Sequence, residues 1–405
     1  MKKFHKNSIV FLFAVLFLLL GFSKDMVLNL GSAAKHLCLN VLAGSENPVE
    51  TFEKRVDTCI SEMLRYHGQL MDLSSVLNNL EGKRIIKKGN DVVVKADSGS
   101  LISPAGHRLD EGEVSEIVTR VEALQRVSEE NGAKFLYCAA PRKEYYEIPP
   151  VNSIDYSKEN FDHLMNGLSR EGIPLLDFST SLQEAKIPEE DLYFDTDHHW
   201  KPYSGFVANR AICEELSRRY GFEYDSTYTD IQNYDVTTYP DWFLGSTGKK
   251  VGTYFDWSGA EDFDLITPKF PTEFTEEQPL KDEVRTGGFQ ETLLFLDNME
   301  KNFYEKNAYA TYSGGDFRLQ IMRNEQNPEG KKILLIRDSF ACTVAPFLAL
   351  QTSELHICDM RTYDYYVGDK LNAEEYIKEV QPDYVIVLYC YTGSVQDASG
   401  RFDFF

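Results

Sequence analysis

KILLIRDSFACTVAPFLALQTSELHICD, Lys332 to Asp359, holds two short apolar runs, Lys332–Ile336 and Leu355–Asp359, on either side of a longer apolar segment, Phe340–Leu350. Short runs rich in Ile and Leu read as buried strands, and the segment between them is long enough for a helix. Strand, helix, strand is the repeating unit of a parallel sheet, because parallel neighbours need a crossover between them.

The same alternation continues outward. Val114, Ile117, Val118, Val121, Leu124 and Val127 recur at three- and four-residue steps and predict an amphipathic helix over Glu111–Glu130. A strand Ala133–Ala140, a helix Phe161–Arg170, a strand Ile173–Phe178 and a helix Ser204–Tyr220 follow. Beyond Asp359 come a helix Ala373–Val380 and a strand Tyr384–Leu388. The expected fold is therefore α/β, three-layered, with a mainly parallel sheet. Ahead of it, Arg84–Ile102 reads as short strands punctuated by Gly89, Asn90 and Gly99. Residues 221–330 lose the rhythm and read as an irregular β-containing insertion, either a cap over the site or structural padding.

The amino terminus carries a targeting pattern. Lys2, Lys3 and Lys6 precede an apolar run, Ile9–Phe22. Residues 1–30 are expected to form a cytoplasmic tail and a single membrane anchor with the rest of the chain outside, or else a cleaved signal that leaves a secreted protein. Residues 31–80 read as a helical stalk, with Phe52, Val56, Ile60, Leu64, Leu70 and Met71 near helical spacing, and 81–405 as the catalytic domain.

Lys and Arg total 42 against 64 Asp and Glu, a formal charge of -22 that leaves no broad basic surface for phosphates and argues against nucleic acid. Seven cysteines contain no C-x-x-C pair, so neither a zinc knuckle nor a dithiol redox motif is present.

Two constellations carry chemistry. In Asp195, Thr196, Asp197, His198, His199, Trp200 an imidazole, His199, has a carboxylate two residues away, Asp197, able to hold it in one tautomer as a general base. The same carboxylates and imidazoles could alternatively bind a metal, or simply order a turn before a helix. In Arg337, Asp338, Ser339, Phe340 a serine follows a strand and opens a helix, where backbone N–H groups can meet an oxyanion. The bland reading is a capping Asp or Ser.

Together, TDHHWKPYSGF (Thr196–Phe206) and ILLIRDSFACTVAPFLALQTSELHICDMRTYD (Ile333–Asp364) resemble the DHHW family, relatives of the SGNH hydrolase-like domains of alginate O-acetyltransferase proteins. That group carries its histidine element before its serine element, circularly permuted relative to ordinary SGNH hydrolases. The resemblance implies Ser339 as nucleophile, His199 as base and Asp197 as orienting acid, with no cofactor and no metal. Arg337 stands where ordinary members have glycine, and no second oxyanion donor is evident.

His198, Arg337, Asp338, Asp359 and Arg361 are further pocket candidates at the carboxyl edge of the sheet, with Lys143 a weaker one that reads more simply as a solvated loop charge. Gly245–Lys250 only superficially suggests a phosphate loop, since Phe243 occupies the position of its first glycine, and reads instead as a flexible loop that could lie over the site. Tyr239, Trp242, Tyr254 and Trp257 could stack on sugar rings. The activity implied is a serine-dependent esterase or O-acetyltransferase on an exported or cell-surface polysaccharide, partnered by a membrane-bound O-acyltransferase. The alternative is a non-catalytic glycan-binding or assembly protein.

Overall fold

The computed structural model describes residues 66–88, 91–146, 155–363, 366, 368–390 and 400–405, together with 32 and 35. The chain divides into two compact units, Met1–Leu80 and Glu81–Phe405. Of the first, helix α1 (His67–Leu80) is described; the proposed anchor and most of the stalk lie outside the described residues. Among the described residues no helix is long and apolar enough to cross a membrane.

The second unit opens with a small antiparallel sheet of β1 (Ile85–Lys88), β2 (Asp91–Lys95) and β3 (Leu101–Ile102). Then come α2 (Glu111–Glu130), β4 (Lys134–Ala139), α3 (Ser157–Arg170), β5 (Leu175–Asp177), α4 (Phe178–Glu184) and α5 (Pro202–Tyr220). Asp110 starts α2 with a capping box: its carboxylate accepts from Glu113 N–H while the Glu113 side chain returns to the Asp110 N–H. Such a cap stabilises a helix by about 1 kcal/mol. Gly221 ends α5 at φ 71°, the left-handed conformation that glycine adopts without strain.

Downstream are β6 (Tyr234–Phe243), α6 (Ser246–Val251), β7 (Glu261–Pro268), β8 (Phe274–Gln278), β9 (Glu283–Gly287), α7 (Phe289–Leu293) and β10 (Leu319–Asn324). The chain closes with β11 (Lys332–Arg337), α8 (Ala345–Ala349), β12 (Glu354–Cys358), α9 (Ala373–Val380) and β13 (Tyr384–Tyr389).

Eight strands form the main sheet in the order β5-β4-β13-β11-β12-β10-β8-β9. The first four pairings are parallel and the last three antiparallel. Alternation along the buried strands splits the core into two layers. Leu136, Cys138, Leu335 and Leu388 pack on one face with Phe178 of α4, Phe206 of α5 and Phe347 of α8. Phe135, Tyr137, Leu334 and Val387 pack on the other with Ile117 of α2, Phe161 of α3 and Ile377 of α9. This is the three-layer α/β arrangement: successive side chains of a strand point to opposite faces, so a strand covered on both faces fills both layers.

Two features depart from the expectation. Residues 221–330 do not form one cap: β8, β9 and β10 extend the main sheet antiparallel, and only β6 and β7 pair as a separate hairpin. The segment Phe340–Leu350 is not one helix either. A 3-10 turn, Ser339–Thr343, precedes α8. Pro346 lacks an N–H and its ring would clash with the carbonyl four residues back, so the helix restarts there.

Candidate active site

Parallel register brings the ends of β4, β13, β11 and β12 to one edge: Arg337 pairs with Leu388, Tyr389 with Ala139, and Ile336 with Cys358. Residues that follow these strands, Ser339, Asp359 and Lys143 among them, therefore gather on one side of the sheet, the side where such folds bind ligands.

The loop before α5 arrives there as a tight excursion. Tyr193 bridges Trp200, and Lys201 N–H donates to Leu192 O, so residues 194–199 close on themselves. Glu261 of β7 accepts from Asp195 N–H, Thr196 N–H and Thr196 Oγ1 at 2.5–2.6 Å. Trp200 is fully buried, and its indole N–H donates to Phe340 O at 3.0 Å and Thr343 Oγ1 at 2.9 Å. The tryptophan thus pins the turn that carries Ser339. Gly205 brings α5 against the same turn: a Cβ there would fall 2.1 Å from Thr343 Oγ1.

These elements join Asp197, His199 and Ser339 in one relay. Asp197 Oδ1 lies 2.8 Å from His199 Nδ1, and His199 Nε2 lies 2.7 Å from Ser339 Oγ. With the Nδ1 proton donated to the carboxylate, Nε2 presents its lone pair to the serine hydroxyl, the tautomer a general base needs. Asp197 is 2% exposed and His199 6%, whereas Ser339 is half-buried and open to a reactant.

Burial alone would raise the Asp197 carboxyl. The charges and hydrogen bonds of His199 and His198 outweigh it and hold the group well below the usual carboxylate range. Backbone N–H groups of His198, His199 and Ser246 also donate to it, at 2.6, 3.1 and 2.7 Å. Ser339 N–H, at the start of its turn, donates to no acceptor among the described residues.

His198 packs against His199 with ring centroids 3.8 Å apart and planes tilted by 37°, and its Nδ1 sits 3.0 Å from Ser246 Oγ. Ligating atoms of Asp197, His198 and His199 lie within 4.8 Å of one another, close enough for a metal cluster. Both ring nitrogens of His199 are nonetheless engaged by Asp197 and Ser339, and both carboxylate oxygens by N–H donors.

The remaining candidates are struts. Arg337 is 1% exposed, pairs with Asp316 and donates to Gly315 O at 2.7 Å. Asp338 accepts from Phe340 N–H, Cys390 N–H and Arg401, capping the turn. Asp359 takes Arg361 on both oxygens, and Arg361 also reaches Asp316 at 3.1 Å. Lys143 is not a solvated charge: at 3% exposure its ammonium donates to Ser100 Oγ, Phe194 O and Asp195 O, bracing the loop that leads to Asp197.

Sequence reasoning missed Tyr309, Asp316 and Glu261, and Ser246, in the segment expected as a flexible loop, starts a short helix instead. Trp200 was in view only as part of a motif. Gly245–Lys250, dismissed as a phosphate loop, contributes the Ser246 N–H that holds Asp197 Oδ2. Two cavities have none of the three relay residues in their lining: one of about 920 Å³ by Arg108, Asp155 and His163, and one of about 260 Å³ by Lys143, Tyr193 and Asp195.

The fold and motif order define an SGNH hydrolase-like domain. Residues 103–238 match the family model of the SGNH hydrolase-like domain of the acetyltransferase AlgX, a stretch that contains Asp197 and His199 but stops before Ser339. A DHHW family protein from Eubacterium siraeum DSM 15702 is similar in structure, with a TM-score of 0.59 and 18% identity, over 79% of this chain and 97% of that one. Bacillus cereus PatB1 is similar with a TM-score of 0.61 and 20% identity, over 78% of this chain and 100% of that one. Its form with a sulfonyl adduct gives 0.59 at the same identity, over 79% of this chain and 98% of that one. No curated protein sequence matches this chain.

Proposed function

We propose that this protein is a serine-dependent O-acetyltransferase acting on an exported or cell-surface polysaccharide. The observation that carries this reading is the relay Asp197–His199–Ser339, at 2.8 and 2.7 Å. The likeness of residues 103–238 to an acetyltransferase domain supports the group transferred.

In the first half-reaction Ser339 Oγ attacks the acetyl carbonyl while its proton passes to His199 Nε2. Asp197 stabilises the imidazolium, and Ser339 N–H meets the oxyanion. Collapse expels the donor's leaving group, which takes the proton from His199 and leaves acetyl-serine. A sugar hydroxyl then gives its proton to His199 and attacks the acetyl carbon, and Ser339 Oγ leaves, taking that proton back from His199. Water in that place makes the same site an esterase. Lys2, Lys3 and Lys6 ahead of Ile9–Phe22 support a membrane anchor with the catalytic unit outside, where a membrane-bound O-acyltransferase would supply acetyl groups.

The test is incubation of the full chain in detergent with a chromogenic acetyl ester, with intact mass recorded beside Ser339→Ala and His199→Ala. Acetylation at Ser339, and turnover lost in both variants, are expected. Folded protein with neither adduct nor turnover would replace this reading by a non-catalytic, glycan-binding or assembly role. Turnover that a chelator abolishes would favour metal chemistry instead.

A further inference from the structure

Helix α1 wears its apolar side outward. Ser75 is its buried residue, whereas Leu70, Leu73, Leu77 and Leu80 are 39%, 58%, 52% and 70% exposed. Steps of three, four and three place these leucines on one stripe, the a and d positions of a heptad. A single surface leucine means little, but a row of four on the face turned to solvent marks a surface that something covers.

The sequence ahead of the helix says what fits it. The same alternation continues through Tyr66, Met63, Cys59, Val56, Phe52 and Val49, so the apolar register runs unbroken for more than four heptads from Val49 to Leu80. A register of that length, ending where the Glu81–Phe405 unit begins, is the pattern of a coiled coil and not of an edge packed on a globular core. The flanking positions suit a parallel pair of identical helices. Within the described helix a parallel pair sets Gln69 of one copy beside Ser74 of the other, so no like charges face each other there.

We propose that Leu70, Leu73, Leu77 and Leu80 form the contact face of a parallel, in-register coiled coil between two copies of this chain. Pairing there leaves the Asp197–His199–Ser339 relay untouched, because no residue of α1 contributes to it. The consequence is that two catalytic units are delivered together, which multiplies the apparent affinity for a polymer offering repeated acceptor sites by effective concentration alone.

The test uses the full chain in detergent micelles and reads its mass by sedimentation. The native chain is expected as a dimer, and Leu73→Asp with Leu77→Asp as a monomer whose Glu81–Phe405 unit melts at the native temperature. In a Cys38→Ser, Cys59→Ser background, Leu73→Cys should form an intermolecular disulfide under mild oxidation and Asn79→Cys should not. A monomeric native chain would overturn the proposal, meaning that the chain's own preceding residues or a lipid surface cover the stripe. A dimer that survives the double substitution, or equal cross-linking at positions 73 and 79, would overturn it as well.

Discussion

The Tyr309 ring lies face to face with the His199 imidazole, centroids 4.1 Å apart and planes 16° from parallel, and its hydroxyl donates to the carbonyls of Ser339 and Phe340 at 3.2 and 3.3 Å. One side chain thus spans the base and the turn of the nucleophile. Burial pushes the Tyr309 hydroxyl well above its ordinary value, so it remains a donor. Tyr309→Phe keeps the stack and loses the donor, worth about 0.5–1.5 kcal/mol, so kcat on an acetyl ester should fall about 2- to 10-fold. Tyr309→Leu loses both and should cost about 100-fold, with KM nearly unchanged, because misplacement of reacting groups acts on the chemical step. Native kcat in Tyr309→Leu would remove the residue from the positioning of the site.

Gly245 is required by space and not by backbone conformation. Its φ is -72°, open to any residue, yet a Cβ would fall 2.3 Å from Asp197 Cβ and 2.6 Å from Asp197 Cα and Oδ2. Backbone and carboxylate cannot both yield without moving the relay. Gly245→Ala should destabilise the fold by about 1–3 kcal/mol, the usual cost of overpacking. It should lower kcat further than that loss accounts for, measured on protein shown to be folded. If its kcat and melting temperature match the native values, the loop is looser than its contacts imply.

Acid should weaken the fold through His198. Burial first, then repulsion from His199, lowers its pKa to about 4 against the pull of Asp197. An unfolded histidine titrates near 6.5, so between about pH 6.5 and 4 the unfolded chain binds more protons than the folded one and stability falls as pH falls. Asp197, depressed in the fold, keeps its contribution above the ordinary carboxylate value and loses it only at lower pH. His356 is also lowered by burial and adds the same sign, so the diagnostic is a difference. The melting temperature of His198→Asn should fall less steeply than that of the native protein from pH 7 to 4.5. Parallel slopes would mean that His198 titrates normally.

The central βαβ pattern was legible because strands covered on both faces must be continuously apolar, and Ile333–Ile336 and Val385–Leu388 are. The resemblance placed Asp197, His199 and Ser339 together across some 140 residues of sequence. What hid the rest was partnering. Nothing in a lone sequence distinguishes Lys143 as a buried brace from a surface lysine, since its partners are the carbonyls of Phe194 and Asp195 fifty residues on. Tyr309 resembles any core tyrosine for the same reason. β8 and β9 carry Glu276, Glu277, Gln278 and Glu283, too polar to read as extensions of a sheet.

Arg337, standing where ordinary SGNH hydrolases have glycine, belongs to the support of the site and not to its chemistry. Its guanidinium is held by Asp316 and Gly315 O, with Asp359 Oδ2 3.9 Å away. Burial works against its charge, but Asp316 and Asp359 outweigh that and raise its pKa above the ordinary arginine value. Asp316 is pulled down: burial would raise it, and Arg337 and then Arg361 prevail. Arg361 holds both acids as well, so losing Arg337 leaves two carboxylates against one cation next to the nucleophile's turn. Arg337→Met should cost about 3–5 kcal/mol in denaturant unfolding, the usual penalty for stripping one partner from a buried ion pair. Arg337→Lys should fall between, because an ammonium keeps the charge and loses the fork that reaches Asp316 and Gly315 O together. Stability unchanged in Arg337→Met would show that Arg361 alone neutralises both acids, and the network would then lose its claim to anchor the turn.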